Sequence, residues 1–306
     1  MDDIEYTVSD SHRYEALKST VCFGEVLWDI LPTGALPGGA PMNVAYHLNQ
    51  LGVEAKMISG IGDDEEGRRL LEFMKNHKIP TDLVQKSDYS STGTVLATQG
   101  ENHEMVYDIV KPAAYDFIDV TPGALDAILK APYFIFGSLA VRNEHSRRTL
   151  KTLINLAETK VFDINLRAPH YDQNNLEQLL LQTDILKLNE HEIELVSGWY
   201  ADISRFEDKV RLISDRYQIA RIIVTKGAEG ASYFDGDTFY HHPGFTVTVA
   251  DTIGSGDAFL AAFLSKLING ATPGECVEFA CKLGAYVATQ KGACPDMKFF
   301  SVSQKT

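Results

Sequence analysis

Asp251-Thr252-Ile253-Gly254-Ser255-Gly256-Asp257-Ala258-Phe259 is the stretch on which the reading of this chain turns. It follows a β-branched, strand-like segment, Thr246 to Ala250, and opens an apolar helix expected over 257–269. The first amides of a helix have no partner inside it. Those of Gly254, Ser255, Gly256 and Asp257 would point together at an anion, the usual way of holding phosphate, and the glycines let that anion come close. Asp257, in the first turn, could then take a proton from an attacking hydroxyl. A plain glycine turn with a capping aspartate would look the same, so the rest of the chain must decide. No G-x-x-x-x-G-K-[ST] run is present, and Gly24 after the first strand does not begin G-x-G-x-x-G. A Walker-type loop is thereby excluded, and a dinucleotide site loses its main support.

Working outward, apolar periodicity alternates between the helical and the extended kind. A β-rich run, Val21 to Leu31, is interrupted by Gly24. A helix is expected over Pro41 to Leu51, with proline in its first turn and Gly52 past its end, then a strand over Ala55 to Ile61 and a helix over Asp64 to His77. Thr94 to Gln99 and Glu104 to Ile109 read as a β-hairpin, a candidate lid. From Pro122 on, helices near 122–130, 143–158, 190 onward, 203–217, 257–269 and 273–290 alternate with strands Tyr133 to Gly137, Val161 to Asn165, Ile185 to Leu188 and Arg221 to Thr225, with a β meander over 231–249. Strands separated by helices of this length imply parallel β-α-β units covered on both faces. In such folds ligands sit beyond the carboxyl ends of the strands. A leader over 1–19 and one domain over 20–306 are expected.

Composition narrows the class. Across 306 residues, 28 Lys and Arg stand against 42 Asp and Glu, a formal net charge of −14. That balance argues against a nucleic-acid partner, yet a helix N-terminus and a few lysines can still hold an anionic nucleotide. The four cysteines, Cys22, Cys276, Cys281 and Cys294, show neither zinc spacing nor a disulfide ladder. The absence of a signal-like or membrane-spanning stretch suits a cytoplasmic enzyme. The nine histidines lack ligand spacing, and no G-x-S-x-G elbow occurs.

A second glycine-rich stretch, Gly38-Gly39-Ala40-Pro41-Met42-Asn43-Val44-Ala45, also opens a helix and puts Asn43 in its first turn, where its amide could bond a polyol. Taken together, and in this order, the two stretches resemble the signatures of the PfkB carbohydrate kinases, the ribokinase-like family, from about Val21 to the C-terminus. The resemblance implies a three-layer α/β/α sandwich with a mostly parallel central sheet and a small β lid, its strands at about 25–37 and 92–116. It also implies an ATP-dependent transfer to a small sugar.

Carried over residue by residue, it makes Asp257 the base and Gly254, Ser255 and Gly256 the anion hole. Ile253 and Ser255 stand where the family often has threonine and alanine. Asp29, Gly38, Gly39, Asn43 and Tyr107 fall on the sugar side. So do Asn165 and Arg167 of a D-x-N-x-R element beginning at Asp163. Lys187, Asn189, Thr225, Lys226, Gly227 and Gly230 fall on the nucleotide side with Gly256. Glu192, of the N-x-x-E element, would organise Mg2+ through water, while Asp251, Ile253, Val287 and Gly292 would hold K+. Gly24 to Pro32, Lys111 to Ala114 and the Asn165/Arg167 pair look fructokinase-like, which makes fructose the preferred acceptor. 2-Keto-3-deoxygluconate and ribose are the alternatives. A silent sugar-binding regulator and a nicotinamide oxidoreductase are the rivals from other classes, and an exposed lid edge could pair two copies into a homodimer.

Overall fold

The computed structural model describes residues 19–32, 34–99 and 105–302, without the side chains of 97–99, 105–107, 301 and 302. The expected leader, apart from Ser19, lies outside them, as does the side chain of Tyr107.

The buried strands are hydrophobic on both faces, and their period of two sorts the residues between two cores. Val21 and Phe23, Phe134 and Phe136, Phe162, Leu186 and Leu188, and Ile222 and Val224 face one cluster. Their neighbours Cys22, Ile135, Val161, Ile185 and Ile223 face the other. A sheet with two greasy faces needs a helical layer on each, which gives three layers.

The main sheet has nine strands. β1 (Ser19–Phe23), β4 (Glu54–Gly62), β5 (Val84–Ser87), β8 (Tyr133–Gly137), β9 (Thr159–Asp163), β10 (Ile185–Asn189) and β11 (Arg221–Thr225) run parallel, and β12 (Ala231–Phe234) and β13 (Phe239–His242) add an antiparallel edge. The order is β13-β12-β11-β10-β9-β8-β1-β4-β5. From β1 the chain first builds outward through β4 and later returns to β8 on the other side, so the topology switches there. A second sheet, order β3-β2-β6-β7, joins β2 (Leu27–Leu31), β3 (Gly34–Gly38), β6 (Gly93–Gln99) and β7 (Met105–Ile109). This is the lid, entered from β1 through Gly24, Glu25 and Val26.

Helices α1 (Ala40–Gln50), α2 (Glu65–Asn76), α8 (Ser255–Ile268), α9 (Pro273–Ala288) and α10 (Lys298–Val302) cover one face. α3 (Pro122–Lys130), α4 (Glu144–Ile154), α5 (Gln173–Leu180), α6 (Glu190–Gly198) and α7 (Phe206–Tyr217) cover the other. Asp64 caps α2 by accepting from the Gly67 amide at 2.8 Å. Its other oxygen accepts from the Thr92 amide at 2.8 Å, which ties the start of lid strand β6 to the main body.

The run Val21 to Leu31, interrupted at Gly24 as expected, divides into β1 of the main sheet and β2 of the lid. One expectation needs correcting. Thr246 to Ala250 forms no strand. Its alternating β-branched residues are exposed, and the chain there has left β13 at the sheet edge without pairing again, so propensity has nothing to pack against.

Phe162 is fully buried and stacks on Phe136 with ring centroids 5.2 Å apart. Phe162→Ala should lower the unfolding free energy by about 3–5 kcal/mol in a urea titration with an unchanged slope. A loss below about 1 kcal/mol would contradict this packing.

Candidate active site

The carboxyl ends of β1, β8, β9 and β10, the start of α8 and the start of α1 converge on one place. Asp257 lies in the first turn of α8, whose N-cap Gly254 is left-handed at φ 77°. A Cβ on Gly254 would stand 2.4 Å from the Ala293 Cβ, so the loop after α9 presses directly on the helix start. Only glycine fits there.

Asn43 reaches across from the first turn of α1 and donates through Nδ2 to Asp257 Oδ2 at 2.8 Å. Its own Oδ1 accepts from the Cys294 thiol at 3.4 Å, which fixes the orientation of the amide. Opposite stands a buried ion pair in which Lys187 Nζ, from the middle of β10, donates to both carboxylate oxygens of Asp163, at the end of β9, at 2.8 Å each. A Cβ on Gly256 would lie 3.4 Å from Lys187 Nζ. The ammonium is therefore beside the glycine amides, where an anion would find both.

The field explains the protonation states. Burial pushes the Asp257 carboxyl up to about 6; Asp163 adds to the rise, while Lys187, the Asn43 bond and Arg167 oppose it. Burial also pushes Asp29 up to about 6, again against Arg167. For Lys187, burial by itself would lower the ammonium, but Asp163, Glu192 and Asp257 outweigh it and raise it. It stays charged. A buried carboxyl pushed up to about 6, beside a fixed cation and a helix start where only the Ser255 amide is turned back, onto the Thr252 carbonyl at 3.3 Å, can accept a proton from a hydroxyl while charge builds on a neighbouring phosphoryl group.

The other sugar-side residues gather around this centre. Asp29 stands on β2, and a Cβ on Gly38 would fall 2.3 Å from its Oδ2, so Gly38 makes room for that carboxylate. Gly39 is just as close to the backbone of Glu25. Asn165 holds a left-handed backbone at φ 38°, and its carbonyl accepts from Ser138 Oγ at 3.4 Å. Arg167 is exposed and bears on Glu25, Asp29 and Asp257 by charge. Next to Asn165 a cavity of about 610 Å³ is lined by Lys111, Ser138, Arg142, Asn143, His170 and Asn175, among others.

Glu192 does something the sequence did not indicate. Oε2 accepts from the Asn189 amide and Oε1 from the Leu166 amide, both at 2.8 Å, while Asn189 Oδ1 accepts from the Glu192 amide at 2.9 Å. The N-x-x-E element is a capping box that also fastens the loop carrying Asn165 and Arg167. Among the described residues no three His, Cys, Asp or Glu side chains gather as a metal cluster. Asp251 accepts from the Ile253 amide at 3.0 Å and the Gly292 amide at 3.1 Å, joining the loops named for K+, and the Val287 carbonyl accepts from the Gln290 amide at 2.9 Å.

On the nucleotide side, Thr225 Oγ1 donates to the Leu188 carbonyl at 3.4 Å, and the Lys226 to Gly230 turn is closed by the Lys226 amide on the Gly230 carbonyl at 2.8 Å. Lys226 Nζ lies 3.7 Å from the centroid of the Phe206 ring, so this lysine is held against an aromatic face and Lys187 is the one beside Gly256. Asp163 as the partner of Lys187, and Cys294 as the donor to Asn43, escaped sequence reasoning; a charged residue inside an apolar strand, as Lys187 is, signals that a buried partner must exist.

Comparison with known proteins gives the family. The pfkB family carbohydrate kinases match residues 30–298. The chain belongs to that family. This kinase is 30% identical to fructokinase-1 of Zea mays over 90% of its own length and 94% of the relative's, and 30% identical to the fructokinase of Escherichia coli over 88% and 93%. Its fold superposes with a TM-score of 0.79 on the Vibrio cholerae O395 fructokinase solved with fructose, ADP and calcium, at 25% identity over 91% and 95% of the two chains. Xylella fastidiosa fructokinase with bound ATP shares the fold at a TM-score of 0.80 and 22% identity over 94% and 98%.

Asp257→Asn should lower kcat by on the order of 10²–10⁴ while leaving acceptor affinity within about threefold. Because the base must be ionised and its carboxyl is pushed up to about 6, kcat/KM should rise as pH rises through about 6 and level off above it. A pH-independent kcat/KM across that range, or a variant with full turnover, would remove Asp257 from the role.

Proposed function

We propose that this kinase transfers the γ-phosphoryl group of ATP to a hydroxyl of fructose. The observation that carries the reading is the Asn43-held Asp257 carboxyl set at the α8 N-terminus beside Lys187. The fructokinases among the relatives, and the fructose and ADP bound by the Vibrio cholerae enzyme, support the choice of sugar.

Asp257 orients the acceptor hydroxyl and takes its proton. The amides of Gly254 and Gly256 and the Lys187 ammonium meet the charge that spreads over the transferred group, joined by the Ser255 amide once it leaves the Thr252 carbonyl. Bound Mg2+ would neutralise phosphate charge, with Glu192 acting through water, and K+ would sit by the loops that Asp251 joins. Asp29, Asn43, Asn165 and Arg167 offer the carboxylate, amide and guanidinium partners that sugar hydroxyls need. Lid closure would keep water from competing with the sugar. Among the described residues the outer edges of lid strands β3 and β7 are unpaired, and two copies joined there would form a homodimer.

A second acceptor is favoured by one observation. Lys111, in the wall of the cavity beside Asn165, has no ion-pair partner among the described residues and would suit the carboxylate of 2-keto-3-deoxygluconate. The silent-regulator alternative fits poorly with a buried, up-shifted Asp257, since an idle site has no use for such a group.

The test is ADP release with magnesium-ATP against fructose, 2-keto-3-deoxygluconate, ribose, tagatose and adenosine. Fructose should exceed the others by at least about tenfold in kcat/KM. Preference for the keto acid would move the assignment to that sugar. Silence across the panel, in folded protein that binds ATP, would favour the regulator.

A further inference from the structure

Glu25 is used by nothing described so far. It lies in the turn between β1 of the main sheet and β2 of the lid, and it is only 3% exposed. Oε1 accepts from the Ala40 amide, the first residue of α1, at 3.3 Å. That helix begins on Gly39, which offers no capping side chain, and no acidic residue stands in its first turn. Helix starts usually have both. Glu25 supplies the acceptor from outside the helix, across 15 residues of chain.

The contact is continuous. A Cβ on Gly24 would stand 2.7 Å from Pro41 Cγ, and one on Gly39 would stand 2.4 Å from the Glu25 carbonyl oxygen. The lid hinge is thus seated on the first turn of α1, the same turn that carries Asn43 to Asp257. Resting on the sugar-kinase reading of the site, we infer that Glu25 is a positioning residue: it fastens the start of α1 to the lid hinge and so sets Asn43 against the catalytic Asp257 and the acceptor sugar.

Its other oxygen, Oε2, is buried without a hydrogen-bond partner among the described residues. An ionised carboxylate oxygen in that state would be costly, and burial, with a contribution from Asp257 and against Arg167 and two backbone hydrogen bonds, pushes the carboxyl up to about 7. Near neutral pH a large share of the molecules therefore carry the proton, and glutamine is the isostere of that form.

The test compares Glu25→Ala with Glu25→Gln. The alanine variant should raise the acceptor KM and lower kcat, each by at least about fivefold, with the ATP KM within about twofold, and glutamine should restore both to within about threefold. A change confined to general stability would not split the two substrates. If the alanine variant does not fold, Glu25→Asp, one carbon too short to reach Ala40, should show the same split. Amide exchange gives a readout without turnover: Asn43 and Val44 should exchange at least about tenfold faster in the alanine variant than in wild type. Unchanged acceptor kinetics and exchange, an equal rise in the ATP KM, or a glutamine variant as impaired as alanine would each overturn the role. Should wild type phosphorylate no sugar tested, the kinase reading fails by itself, and the exchange rates still decide whether Glu25 anchors the helix.

Discussion

The buried pair of Lys187 and Asp163 is the constraint around which the site is arranged. Two charges have been moved out of water on adjacent parallel strands, at a cost that their attraction offsets only with good geometry. Both oxygens of Asp163 are engaged by the one ammonium. A hydrophobic pair could fill the same space at no such cost. What the ion pair adds is a cation held rigidly beside Gly256 and next to Asp257, on strands whose register leaves it little freedom. The pair is close to neutral as a unit, so the site keeps a positive edge for phosphate without forcing Asp257 into permanent ionisation.

Helix α1 transmits order between the two halves of the site. From consecutive turns, Asn43 bonds Asp257, Tyr46 Oη donates to the Pro295 carbonyl at 2.7 Å, and His47 Nε2 meets the Ala293 carbonyl at 2.8 Å. A carbonyl can only accept, so the His47 proton is on Nε2; burial lowers its pKa to about 4, which keeps the ring neutral. The loop braced in this way includes Gly292, tied to Asp251, and Ala293, packed on Gly254. Asn43 and the loop that packs on Gly254 are thereby held by the same helix.

Much of this was legible in the sequence because the signals were local. Helix 122–130 and strands 133–137 and 221–225 follow from apolar periodicity and flanking breakers, and the glycine-led helix starts announce amides without partners. What sequence could not show depends on partners far along the chain. Thr246 to Ala250 has strand propensity but no neighbour to pair with. β5, half-exposed VQKS, owes its existence to β4, which it follows in register. Asn189 and Glu192 were visible as a motif, yet that Glu192 would also hold the Leu166 amide 26 residues away required the folded loop. α5 is a plainer omission, since Leu176, Leu179 and Leu180 after Asp172 are a short amphipathic helix with its cap in place.

The net charge of −14 at first looks ill suited to a nucleotide, and the structure shows why it matters little. Asp163 is spent on Lys187, and Glu192 on backbone amides. Burial holds Glu25, Asp29 and Asp257 above the ordinary carboxylate range, and Glu25, pushed up to about 7, is the one that sheds a large part of its charge near neutral pH. What an incoming anion meets at close range is the α8 amides, Lys187 and Arg167, while the surface acids lie behind solvent and salt that screen beyond about 8–10 Å. The same desolvation that blunts the carboxyls makes Asp257 a better proton acceptor than a free aspartate. Lid closure would deepen that desolvation, so the base is strongest when the acceptor is already enclosed.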